Sequence, residues 1–132
     1  MEPKKIVIVI PMTQIQKNRL EQIFPRAEFL YTSIPEVTRE QVRQAEIILG
    51  NVPHDMIQES ENLVWLHLNS AGYEPYVQKG VLRPHTLLTG SSGAYDKAVA
   101  EHMFAMLLSL QKKLHLYRDD QKKRQWSEEG SV

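Results

Sequence analysis

The first apolar run, positions 6–10, contains no polar residue and is β-branched throughout. A strand with one wet face would alternate, so an unbroken run predicts a strand covered on both faces, as in a parallel sheet. Thr13-Gln14-Ile15-Gln16 then fits a capping box, with a hydroxyl at the N-cap and Gln three residues on. Ile15, Leu20, Ile23 and Phe24 make a helical apolar stripe, and Pro25 ends it. The alternation then repeats. Positions 27–31 predict a short strand. Thr38-Arg39-Glu40-Gln41 is a second capping box, opening a short helix with Val42 and Ala45 inward. Positions 47–49 predict a third strand closed by Gly50, positions 53–60 a brief helix, and positions 63–68 and 86–89 a fourth and fifth strand. Strands alternating with helices predict an α/β fold: a flavodoxin-like parallel sheet of about five strands, flanked by helices, with right-handed crossovers.

The last third differs. From Asp96, read as a helix cap, the chain runs to about Asp120 without Gly or Pro. One long C-terminal helix of roughly 36 Å is expected there. Val99, Met103, Met106, Leu110, Leu114 and Tyr117 recur at spacings of three and four, and Phe104, Leu107 and Leu108 widen the stripe. Such a stripe is ordinarily a core face. Here it exceeds what one small sheet covers, so a homodimer through helix 96–120 is expected.

Sixteen basic residues balance sixteen acidic ones among 132, so charge offers no general attraction to nucleic acid or to an anionic membrane. Neither is an expected partner. The absence of cysteine excludes disulfides, thiolate metal sites and a cysteine nucleophile, and it fits a cytoplasmic protein. Positions 6–10 are too short for a signal peptide and Pro11 closes them. No stretch approaches the ~20 apolar residues of a membrane span.

In open α/β sheets, ligands bind beyond the carboxyl ends of the strands. Pro11-Met12-Thr13, after the first strand, lacks both the paired carboxylates of a receiver and the glycine of a flavodoxin phosphate loop. Gly50-Asn51-Val52-Pro53 follows the third strand, Asn69-Ser70-Ala71-Gly72-Tyr73-Glu74 the fourth, and Gly90-Ser91-Ser92-Gly93-Ala94-Tyr95 the fifth. Small, glycine-containing loops let backbone N–H groups approach an anion, though most such loops are simple turns. His54, His67, His85, His102 and His115 have no metal-ligand spacing, and there is neither a nucleophile elbow nor a GxGxxG dinucleotide fingerprint. His102 beside Glu101 reads as an inert helix-surface histidine. The mixed charges of 122–130, around Trp126, read as cations near a helix C-terminus.

The order of these pieces resembles the N-terminal portion of the D-isomer-specific 2-hydroxyacid dehydrogenases. A strand ends in Asn69-Ser70-Ala71-Gly72-Tyr73-Glu74. After a spacer and another strand, Gly93-Ala94-Tyr95 precedes Val99-Ala100-Glu101-His102, which opens a long helix leading to Arg118 and Trp126. The Ala94-Tyr95 pair looks most like the D-lactate dehydrogenase branch. Glu74 stands where the family usually has Asp.

The resemblance implies hydride transfer between a nicotinamide and C2 of a small 2-keto or 2-hydroxy acid. It implies that backbone amides around Ser70, Ala71 and Gly72 hold the substrate carboxylate and that Asn51 and Val52 line the side-chain pocket. Tyr95 would face the cleft, and Val99 would sit near the nicotinamide. The expected division is a substrate domain at 1–95, a linking and dimerising helix at 96–121, and a linker at 122–132 cut short before an NAD-binding domain. The family's GxGxxG, substrate-binding Arg, Glu and catalytic His would all lie past Val132. The fragment is therefore expected to be inactive, with NAD or NADP serving only the full-length protein. The alternative is a stand-alone flavodoxin-like binding or dimerisation module.

Overall fold

The computed structural model describes residues 4–128 and 130. Positions 1–3, and Glu129, Ser131 and Val132 from the expected linker, lie outside the described residues. The chain divides into two compact units, Met1–Ser92 and Gly93–Val132.

The first unit runs β1 (Lys5–Ile8), α1 (Gln14–Ile23), β2 (Glu28–Tyr31), α2 (Arg39–Gln44), β3 (Ile47–Leu49), α3 (His54–Ile57), β4 (Trp65–Leu68) and β5 (Leu87–Gly90). All strand pairs are parallel, in the order β2-β1-β3-β4-β5, the flavodoxin-like arrangement. Both capping boxes form. The Thr13 amide donates to Gln16 Oε1 at 2.8 Å while the Gln16 amide returns to Thr13 Oγ1 at 3.3 Å. Thr38 and Gln41 repeat the exchange at the head of α2.

Register sorts the sheet residues into rows. Val7, Ile48, Leu66 and Leu88 align across four strands and face the core. Val42 and Ala45 close over that face with Ile57 and Leu63, all essentially without exposure. The adjacent row, Ile6, Ile47, Trp65 and Leu87, grades from buried to open: Ile6 is 7% exposed and Leu87 57%.

The apolar stripe of α1 does not bury the helix. The helix has no buried residue, and Ile15 is 81% exposed. Leu20, Ile23 and Phe24 instead line an open apolar groove of about 570 Å³ with Phe29, Leu49 and Trp65. A ten-residue helix is ~15 Å long and one helix wide, whereas five strands span ~20 Å. One helix cannot roof that face.

The second unit holds α4 (Asp96–Gln111) and α5 (Leu114–Lys123). The single long helix expected over 96–120 is broken. Lys113 adopts a left-handed backbone with φ 55°, and its amide bonds the Leu110 carbonyl at 3.1 Å. Apolar spacing reports which face a residue occupies and is blind to one residue's φ, so the stripe continues across a break that no glycine or proline marks. Asp96 is the first helical residue, Tyr95 takes the cap position, and no side chain caps α4. None of the residues of α4 or α5 is buried.

Candidate functional site

The carboxyl ends of β3 and β4 carry the site. Gly50 continues their pairing, its amide bonding the His67 carbonyl at 2.8 Å. Its φ of +117° turns the chain sharply, a conformation glycine adopts without steric cost. That turn aims Asn51 across the sheet end toward the loop after β4.

Asn51 grips this loop at two places. Its Oδ1 accepts the Asn69 amide at 3.0 Å, and its Nδ2 donates to Ser70 Oγ at 2.8 Å. Having accepted that hydrogen bond, the Ser70 hydroxyl donates its own hydrogen to the Gly72 carbonyl at 3.0 Å. The Ser70 carbonyl takes the Ser91 amide at 3.1 Å, tying the loop to the end of β5. Gly90 permits this approach, since a Cβ there would stand 3.1 Å from the Ser70 carbonyl oxygen. Among the described residues, the amides of Ser70, Ala71 and Gly72 donate no hydrogen bond, and Ala71 and Gly72 are exposed. Three consecutive free N–H groups on a held loop can receive an oxyanion. No cationic side chain bonds to this loop among the described residues. The carboxylate of Glu74 already takes the next amide, Tyr73, at 3.0 Å.

Asn51, Ser70, Ala71 and Gly72 thus come together. Val52, which the resemblance places on the pocket wall, follows Asn51 in the chain. Its side chain is fully buried in the core, and its carbonyl accepts the Tyr76 hydroxyl at 2.8 Å. Burial pushes the Tyr76 hydroxyl pKa up, so it stays a donor and props the 50–53 turn from beneath. Tyr95 and Val99 belong to the second unit, at the cap and in the first turn of α4, and both are exposed.

One polar cluster beside the site was not singled out in the sequence. Trp65 Nε1 donates to Thr89 Oγ1 at 2.8 Å, and His67 Nδ1 lies 2.9 Å from the same oxygen. The Ser91 hydroxyl donates to the Leu68 carbonyl at 3.0 Å and stands 3.4 Å from His67 Nε2. One arrangement satisfies every group: Thr89 donates to Nδ1, and Nε2 carries the proton toward Ser91. No local pattern in the sequence marks it, since His67 and Thr89 meet only as register partners across β4 and β5.

Among the described residues, no group of histidines and carboxylates is arranged to hold a metal, and no helix is long and apolar enough to cross a membrane. Among the described residues, the place most like a pyrophosphate seat does not fit one. The one glycine-containing loop that leads into a long helix ends at Asp96, whose carboxylate would oppose a pyrophosphate in the first turn of α4.

No protein-family model and no curated protein matches the sequence. Solved structures do match the fold. A D-isomer specific 2-hydroxyacid dehydrogenase family protein from Aeromonas salmonicida aligns over 99% of this chain and 43% of its own, with a TM-score of 0.80 and 20% identity. The D-lactate dehydrogenase from Aquifex aeolicus, solved with NAD and lactic acid, aligns over 96% of this chain and 39% of its own, with a TM-score of 0.76 and 22% identity. The chain therefore spans about two fifths of the structures it matches. At these identities the likeness defines the fold.

Proposed function

We propose that this chain is the substrate-binding front part of an NAD(P)-dependent dehydrogenase of D-2-hydroxy acids. In this reading the Ser70-Ala71-Gly72 amides seat the carboxylate of a 2-keto or 2-hydroxy acid. The observation that carries it is the held loop with three free amides at the carboxyl edge of a sheet whose fold matches that enzyme class. Backbone amides supply no full charge, so a tight seat needs a further cation, and general acid–base chemistry needs a positioned proton carrier. Neither bonds to this loop among the described residues. The chain alone therefore binds weakly and does not turn over. Tyr95 and Val99 keep their proposed places at the cleft and near the nicotinamide of the whole enzyme.

Two measurements test this. Addition of NADH and a panel of 2-keto acids should produce no NADH oxidation. Titration of the ¹⁵N-labelled chain with pyruvate should shift the amide resonances of Ser70, Ala71 and Gly72. Turnover would overturn the inactivity, and unmoved loop amides would overturn the carboxylate seat.

We further propose that the chain is a homodimer. Val99, Met103, Met106 and Leu110 recur on α4, and all four are at least half exposed. A second copy is the partner that fits such a self-complementary apolar stripe.

A further inference from the structure

The hydrogen bonds around Asn51 form a chain with a direction. Asn51 Nδ2 can only donate, so Ser70 Oγ must accept from it. That leaves the single hydroxyl hydrogen of Ser70 for the Gly72 carbonyl. The Gly72 carbonyl belongs to the peptide between residues 72 and 73, whose planarity makes the group rigid. Holding the carbonyl therefore sets that whole plane. At the other end, Asn51 Oδ1 holds the Asn69 amide and thus the 68–69 plane. Between them, the Ser91 amide holds the Ser70 carbonyl. In a trans peptide N–H and C=O point in opposite directions, so this bond turns the Ala71 amide away from β5. The three free amides are bracketed by fixed peptides on both sides and steered by one within.

We infer that Asn51 and Ser70 are positioning residues, a latch that pre-orients the Ser70-Ala71-Gly72 amides for a carboxylate before any ligand arrives. The inference rests on the reading of this loop as the carboxylate seat. It gives Asn51 a role distinct from lining a side-chain pocket, because both polar ends of its side chain are engaged with the loop. Preorientation matters here because a seat built from exposed amides would otherwise lose conformational freedom on binding.

The direction of the chain supplies the test. Ser70→Ala removes the relay, and Ser70→Thr keeps a hydroxyl and restores it. Asn51→Asp is nearly isosteric but can only accept. The Ser70 hydroxyl then turns to the new carboxylate and releases the Gly72 carbonyl. The first readout is ¹⁵N relaxation of the unliganded chain. Order parameters of the Ala71 and Gly72 amides should fall below about 0.6 in Ser70→Ala and Asn51→Asp. They should stay high in the wild type and Ser70→Thr, while the Val7 and Ile48 amides stay rigid in all four proteins. The second is pyruvate titration, where Ser70→Ala should weaken the loop-amide response about tenfold and Ser70→Thr should recover it. Rigid loop amides in Ser70→Ala overturn the latch whatever the ligand does. A wild-type loop that ignores pyruvate overturns the carboxylate seat and the positioning role with it. Equal pyruvate affinity in the wild type and Ser70→Ala overturns the positioning role alone.

Discussion

A Cβ on Gly50 would lie 2.5 Å from Cγ2 of Val9, closer than atoms approach without something shifting. The two residues meet where β1 and β3 end side by side, with the Val9 amide bonded to the Leu49 carbonyl at 2.9 Å. Gly50 also holds φ at +117°, where other residues are strained. We expect Gly50→Ala to destabilise the first unit by about 2–4 kcal/mol through strain and overpacking together. Urea unfolding followed by circular dichroism measures this, and a loss below 1 kcal/mol would show that the turn relaxes freely.

Thr89 joins Trp65 to His67 on the more open sheet face. Thr89→Val keeps the shape but leaves the Trp65 N–H and His67 Nδ1 without their common partner. Water reaches Trp65, which is 36% exposed, so the expected cost is about 1 kcal/mol rather than a full burial penalty. Thr89→Ser should restore both stability and the wild-type tryptophan emission, whereas Thr89→Val should alter the emission.

Glu46 ties the start of β1 to β3. Its carboxylate accepts the Lys4 ammonium and the Lys5 amide, and its backbone bonds the Lys5 carbonyl. The Lys4 hydrogen bond holds the Glu46 carboxyl below the ordinary glutamate value of 4.5. A carboxyl lowered in the fold stabilises it above that value, and the contribution is lost as pH falls through the folded pKa. Wild-type stability should therefore drop more steeply than that of Glu46→Gln between about pH 5 and pH 3. Parallel acid-unfolding curves would contradict this.

Sedimentation should find the chain dimeric at micromolar concentration. The double substitution Met103→Asp, Met106→Asp should make it monomeric. Neither side chain is buried, so far-UV circular dichroism should change little. A monomeric wild type would count against the dimer.

The local rules were legible in the residues themselves. Thr13 with Gln16 and Thr38 with Gln41 announce helix starts because a capping box is complete within four residues. The unbroken run at Ile6, Val7 and Ile8 announces a buried parallel strand because each face of such a strand needs apolar cover. The stripe on α1 marks a helix with an apolar side, but spacing does not show how much sheet lies beneath it. The break at Lys113 was invisible for a related reason: a left-handed turn at lysine leaves no mark in hydrophobic spacing.

By itself the sequence determined the α/β alternation, the strands and caps, and the small glycine-containing loops where an anion can sit. These depend on residues within one or two turns of each other, where propensity, capping and periodicity act. The tertiary structure alone decided that Asn51 holds Ser70 across 19 positions, that Val52 is core, and that one sheet face is left partly open. Those outcomes follow from strand order and register. Such long-range pairings are set by how the whole sheet packs, so no local pattern of residues contains them.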